Sequence, residues 1–197
     1  LSRAEDQVSR FVEVTAPYHE RLFRIAMTLC HDRDQAADLT QETLVRAFSA
    51  FDRFRVGEPV LPWLARILRN LHLDLVKSGR ARYEVPARQL GERQERQEDP
   101  FANVAAKTPD PLTELERSQL AGWLAEELEA LEPAHQLIVV LCDVEELSYQ
   151  EAAEVAGIPV GTVRSRLSRA REQLRERLRR RMAGAMTSRR YGTLPTK

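Results

Sequence analysis

The sequence predicts an all-α protein: two small helical domains joined by a flexible linker, the second containing a helix-turn-helix. Three observations lead there. Apolar residues recur at intervals of three and four along most of the chain, with no strand-like alternation. That period fails over residues 81–113, where prolines and charges crowd together. Beyond the break a capped short helix, a glycine turn and a second amphipathic helix follow one another.

The elements can be justified in order. A first helix covers roughly Ala4 to Val14, and a second runs from Pro17, a good first-turn residue, to Cys30. After the break "HDRD", Asp34 can cap a third helix that reaches about Phe51, with Ala37, Leu44, Ala47, Phe48 and Phe51 able to face a core. A fourth starts near Pro62 and ends near Lys77, with Leu64, Ile67, Leu68, Leu71 and Leu75 as its packing stripe. These four make a domain over residues 1–80. The 33-residue linker, at ~3.3 Å per residue, spans on the order of 100 Å when extended. A structureless loop of that length within one compact domain would be unusual, which argues for two domains on a tether.

Residues 114–182 form the second domain, with helices near 114–130, 134–142, 148–156 and 160–181. Pro133 suits the first turn of the second of these. Ser148 opens a capping box, "SYQE", in which its side chain and that of Glu151 satisfy each other's backbone amides. Gly157 can close that helix in a left-handed conformation, and Pro159 prevents its continuation. Residues 183–197, with two glycines and a proline, read as a frayed tail.

Composition narrows the function. Hydrophobic residues at 43% allow a core, and charged residues at 30% favour solubility. No run approaches the ~18 apolar residues of a membrane span, and no signal peptide is visible, so a cytoplasmic protein without membrane insertion is expected. Cys30 and Cys142 fit no ligand spacing and read as reduced, buried thiols. His19, His72 and His135 are scattered, and no phosphate loop, nucleophile motif or carboxylate pair stands out. No catalytic residue, metal site or cofactor is expected.

A formal net charge of zero hides a strong polarity. From Glu114 to Glu154 eleven acidic residues face one arginine, and from Val160 to Arg190 eleven arginines face two glutamates. A basic block this dense implies a polyanionic partner, nucleic acid first of all. In the last helix Val163, Leu167, Ala170, Leu174 and Leu178 form one apolar stripe. Thr162, Arg164, Ser165, Ser168, Arg169 and Arg171 fall elsewhere and can face out. Such a helix suits a major groove, where arginine bonds guanine through two donors and Ser or Thr reaches bases or phosphates.

Three further stretches, "DQAADLTQETLVRAFSAFDRF", "PWLARILRNLHLDLVKSGR" and "LSYQEAAEVAGIPVGTVRSRLSRAREQL", resemble the conserved regions of bacterial RNA polymerase sigma factors, specifically the extracytoplasmic-function subgroup. The resemblance covers about residues 8–180 and implies a non-enzymatic initiation factor in two helical domains. It implies that Asp38, Gln41, Glu42 and Val45, which share one helix face, dock on the β′ clamp of core polymerase, which is also met at the β flap. The fourth helix and the loop before it would bind the −10 element as it melts, through Phe54, Arg55, Gly57, Val60 and Leu61 with Arg66, Arg69 and Asn70 along the strand. The six outward residues of the last helix would read the −35 duplex. Trp63 is expected in the core. Val60, Pro62 and Lys77 depart from the subgroup's usual residues and bear on which base is captured. The resemblance also implies promoter DNA and an anti-sigma factor as partners, and a role in stress responses. The acidic block, which would repel DNA, is expected to face polymerase or a regulator. A competing class is a stand-alone helix-turn-helix regulator that binds duplex DNA without polymerase.

Overall fold

The computed structural model describes residues 3–55, 57–79 and 111–191, and the predicted linker lies almost entirely outside them. Among the described residues every regular element is helical. The N-terminal bundle holds α1 (Arg3–Thr15), α2 (His19–Cys30), α3 (Arg33–Ala50) and α4 (Val60–Lys77). Pro17 lies in a short 3-10 turn, Ala16–Tyr18, ahead of α2 rather than inside it. The C-terminal bundle holds α5 (Pro111–Glu129), α6 (Pro133–Val139), α7 (Tyr149–Ala156) and α8 (Val160–Tyr191). The last helix continues well past Arg181, into the segment that reads as a frayed tail. Gly184 is one weak position, ~1 kcal/mol worse than alanine, among residues that favour helix.

α2, α3 and α4 pack on one another through Leu22, Ile25, Leu39, Ala47, Leu64 and Leu68, all buried. The core face of α3 is Ala36, Leu39, Thr40, Thr43 and Ala47, with Ala37 and Leu44 half-buried at its flank. Thr40 and Thr43 tolerate burial because their hydroxyls donate to the carbonyls of Ala36 and Leu39, each at 2.7 Å. Asp32, not Asp34, caps α3: its side chain accepts from the Gln35 amide at 2.8 Å. Leu75 is exposed, because the end of α4 runs beyond its neighbours, so the packing stripe stops at Leu71.

α8 packs against α5, α6 and α7 with Val163, Leu167, Ala170 and Leu174 buried. After α6 the chain makes a single π turn, Val140–Val144, closed by the Glu145 amide donating to the Val140 carbonyl at 2.9 Å. The two bundles also touch. α2 meets α6, α4 meets α7, and one buried core is continuous across both.

Candidate nucleic-acid interfaces

The helix-turn-helix is built from local chemistry. The Ser148 side chain accepts from the Glu151 amide while the Glu151 carboxylate accepts from the Ser148 amide at 2.8 Å, so both helix-start donors are satisfied. Gly157 ends α7 at φ +61°, a conformation that costs an L residue about 1–2 kcal/mol. The chain then turns at Pro159, whose carbonyl accepts from Thr162 and Val163 as α8 begins. Burying Val163, Leu167 and Ala170 leaves Arg164, Ser165, Ser168 and Arg169 exposed on the other side.

The predicted duplex-reading residues are thus brought onto one helix, with two differences among them. Thr162 is half-buried, and its carbonyl accepts from the Ser165 hydroxyl at 3.1 Å. Arg171 is engaged in both directions of its fork by Asp143, with Nε 2.9 Å from Oδ2. That hydrogen bonding pushes its guanidinium further above the ordinary arginine value. Arg164 reaches back over the Tyr149 ring at 6.0 Å.

The acidic block has an internal use that its sequence does not announce. Arg181 pairs with Glu126 at 2.6 Å and Glu127 at 2.8 Å, and Arg177 donates to the Ala130 carbonyl at 3.0 Å. Asp143 holds Arg171, Glu154 meets Arg66, and Glu145 meets Arg21 and Arg24. Arg177 and Arg181 are therefore charge-matched against α5, Arg175, Arg179 and Arg180 pair with Glu172 and Glu176 of α8 itself, and Arg164 and Arg169 are left open at its start.

On α3, Asp38, Gln41, Glu42 and Val45 are all exposed, and Val45 is an exposed apolar side chain among polar ones. Glu42 pairs with Arg46 one turn on at 3.0 Å, a bond weak enough to exchange.

The loop before α4 leans on a run of aromatic rings. Phe48 and Phe51 each meet Phe11 edge-on at 5.2 Å, Phe51 stacks on Phe54, and Phe54 lies 4.6 Å from Trp63. Trp63, expected in the core, is half-buried and packs against the core from this run rather than lying within it. Phe54, Gly57 and Val60 line a cleft of about 1010 Å³, and Gly57 takes φ +100°. Leu61 does not line it: α4 starts at Val60, and Leu61, 2% exposed, points with Leu64 and Leu68 into the core. Arg55 and Asn70 are exposed, Arg66 pairs with Glu154 at 3.2 Å, and Arg69 is half-buried beside Gly157.

Sequence reasoning missed the cleft's second wall, where Asp6, Gln7, Arg10 and Glu13 of α1 face the loop. Gln7 donates to Asp52 at 2.7 Å and ties that helix down. With Asp52 and Glu58 the cleft carries four carboxylates against one arginine, a lining suited to a base edge rather than a phosphate. The alternation of polar and apolar positions in α1 was the only available signal. Cys30 and Cys142 are free and half-buried, and burial pushes both thiols up to about 11, which keeps them protonated near neutral pH. Among the described residues no helix is long and apolar enough to cross a membrane.

Known proteins match both bundles. Residues 15–82 match Sigma-70 region 2, and residues 121–174 match Sigma-70, region 4. The ECF RNA polymerase sigma factor SigE of Mycolicibacterium smegmatis is 38% identical over 167 residues, covering 84% of this chain and 60% of that protein. The chain therefore spans less than two thirds of that relative's length. SigC of Mycobacterium tuberculosis is 36% identical over 143 residues, which cover 73% of this chain and 70% of that protein. The sigma factor RpoE of Bartonella quintana, solved with the anti-sigma factor NepR, superposes with TM-score 0.62 at 26% identity, over 86% of this chain and 97% of that one. CnrH, solved with the cytosolic domain of CnrY, gives TM-score 0.51 at 25% identity, over 84% of this chain and 85% of that one. Two conserved regions in the order of the family, each folded as its motifs require, make this chain a member of the extracytoplasmic-function (ECF) subgroup of sigma-70-type RNA polymerase sigma factors.

Proposed function

We propose that the chain directs core RNA polymerase to particular promoters and assists their melting. One observation carries this reading: the outward set of α8, Arg164, Ser165, Ser168 and Arg169, is exposed behind a capped turn while its aliphatic face is buried. In this reading α8 reads the −35 element as duplex through base edges, and helix-start amides contact phosphate. The cleft and α4 hold the opened −10 strand, the base in the cleft and the phosphates by Arg55, Arg66, Arg69 and Asn70. The exposed face of α3 docks on the β′ clamp, and the second bundle meets the β flap. The domains are the four-helix bundle over residues 1–80 and a second bundle from the start of α5 at Pro111 to the end of α8 at Tyr191, with a tether between them. The elements lie roughly 70 Å apart at ~34 Å per helical turn, within the reach of the tether. Both contacts are intramolecular once polymerase is bound, so each can be weak.

The chemistry of the reaction belongs to the polymerase, so this chain is not an enzyme and acts in the cytoplasm. The relatives solved with NepR and CnrY support an anti-sigma factor as the regulator of this chain as well. Run-off transcription with purified core polymerase and genomic DNA of the source organism tests the reading. Discrete new transcripts that require the protein are expected. Tight duplex binding by the protein alone, with no new transcripts, would move the reading to a stand-alone regulator. Replacing Asp38 and Glu42 by alanine should impair holoenzyme assembly while thermal unfolding stays unchanged, and normal assembly would remove the clamp assignment.

A further inference from the structure

Tyr149 is the first residue of α7 and stays 39% exposed, so its ring is not held by a core. Two arginines of α8 hold it instead. The Arg164 guanidinium lies over the ring, 6.0 Å from its centre. The phenol at the other end of the ring hydrogen-bonds the side chain of Arg171. Arg164 and Arg171 are seven residues apart, so they share one side of α8 and sit two turns, ~10 Å, from each other. A tyrosine lying across that gap meets one arginine with its face and the other with its hydroxyl. Arg171 is itself fixed. Both carboxylate oxygens of Asp143, in the π turn Val140–Val144, accept from its guanidinium, with Oδ2 2.9 Å from Nε. The capping box at Ser148 sets the backbone immediately before the ring. The contacts therefore run in one chain, from Asp143 through Arg171 and Tyr149 to Arg164.

We infer that Tyr149 is a positioning residue for α8: braced by Asp143 through Arg171, its ring holds Arg164 in the pose from which it reads a base edge of the −35 duplex. The inference rests on the reading of α8 as the duplex-binding helix, and it makes Arg171 a strut rather than a base reader. An arginine has many rotamers, and all but a few must be given up before its two donors align with a guanine edge. A ring that already restricts the side chain lowers that loss on binding. Alignment matters most for the matching base, because only there are both donors used at once. Loosening Arg164 therefore costs discrimination at one base pair more than it costs overall affinity. Arg169, exposed on the same helix, makes no such ring contact and serves as the internal control.

The test uses holoenzyme made with the full chain and a promoter located by start-site mapping, in competition with every single-base change of its −35 element. Arg164→Ala should flatten preference at one position. Tyr149→Leu, which removes the ring, should flatten that same position by on the order of fivefold and leave the position read by Arg169 unchanged. In the Arg164→Ala background it should add nothing, the mark of two residues acting as one. Tyr149→Phe, which keeps the ring and loses the brace, should give a smaller loss at that position, and it stands in if Tyr149→Leu fails to fold. An effect of Tyr149→Leu spread evenly over the −35 element, or one that persists in the Arg164→Ala background, overturns the positioning role. So does unchanged preference in Tyr149→Leu while Arg164→Ala flattens one position, a result that keeps the reading of α8. Unchanged preference in Arg164→Ala overturns the reading of Arg164 itself, and the inference with it.

Discussion

α4 and α8 carry the same kind of side-chain set, aliphatics on one side and arginines on the other, yet the fold treats them oppositely. The arginines of α8 that face away from its bundle, Arg164 and Arg169, stay open. Those of α4 face the other bundle: Arg66 is paired with Glu154 and Arg69 is tucked beside Gly157. Amphipathic period tells which side chains leave their own core. It does not tell whether a second unit is laid over them.

The sharpest way to break the comparison is through the core face of α8. Leu167 is 2% exposed, and Leu167→Ala should lower unfolding free energy by about 2–5 kcal/mol in urea titration. A loss below ~0.5 kcal/mol, typical of surface sites, would show that α8 is not seated as described. Next in size, Arg169→Ala should weaken −35 binding by about 1–3 kcal/mol and relax specificity there, in start-site mapping of holoenzyme transcripts. Unchanged promoter choice would remove Arg169 from the reading face. The smallest effect is expected for Glu154→Ala. Its pair with Arg66 is exposed on both sides, so stability should change by no more than ~1 kcal/mol in the same titration. A larger loss would mean that α7 is held on α4 mainly through this pair rather than through packing.

Much of this was legible in the chain because it is local. The capping box at Ser148, the left-handed Gly157, the stripe from Val163 to Leu174 and the four exposed residues of α3 all follow from spacing and backbone preference. Errors came where two residues could do one job or where polarity misled. Asp32 and Asp34 are both good caps, and only the extended backbone at Asp32, φ −142° and ψ 130°, decides between them. Thr40 and Thr43 look like surface but bury their hydroxyls on the preceding turn. Leu61 reads as loop because Pro62 follows it, although a proline in the first helical turn is permitted. The contacts of Glu145 with α2 span 121 and 124 residues, a separation at which a single sequence carries no pairing signal.

The pairing of α8 with acidic partners has a consequence for how the chain finds DNA. Arg171, Arg177 and Arg181 already have carboxylates beside them, so they offer a duplex little uncompensated charge with which to neutralise phosphates. Counterion release, which makes binding fall with salt at a slope of about −0.9 per neutralised phosphate, then draws on only part of the basic block. Log affinity against log salt should accordingly be shallower than eleven arginines would give. On the proposed reading, a helix with so much internal neutralisation should hold arbitrary duplex weakly, so that its residence on DNA would be left to sequence and to the polymerase that delivers it.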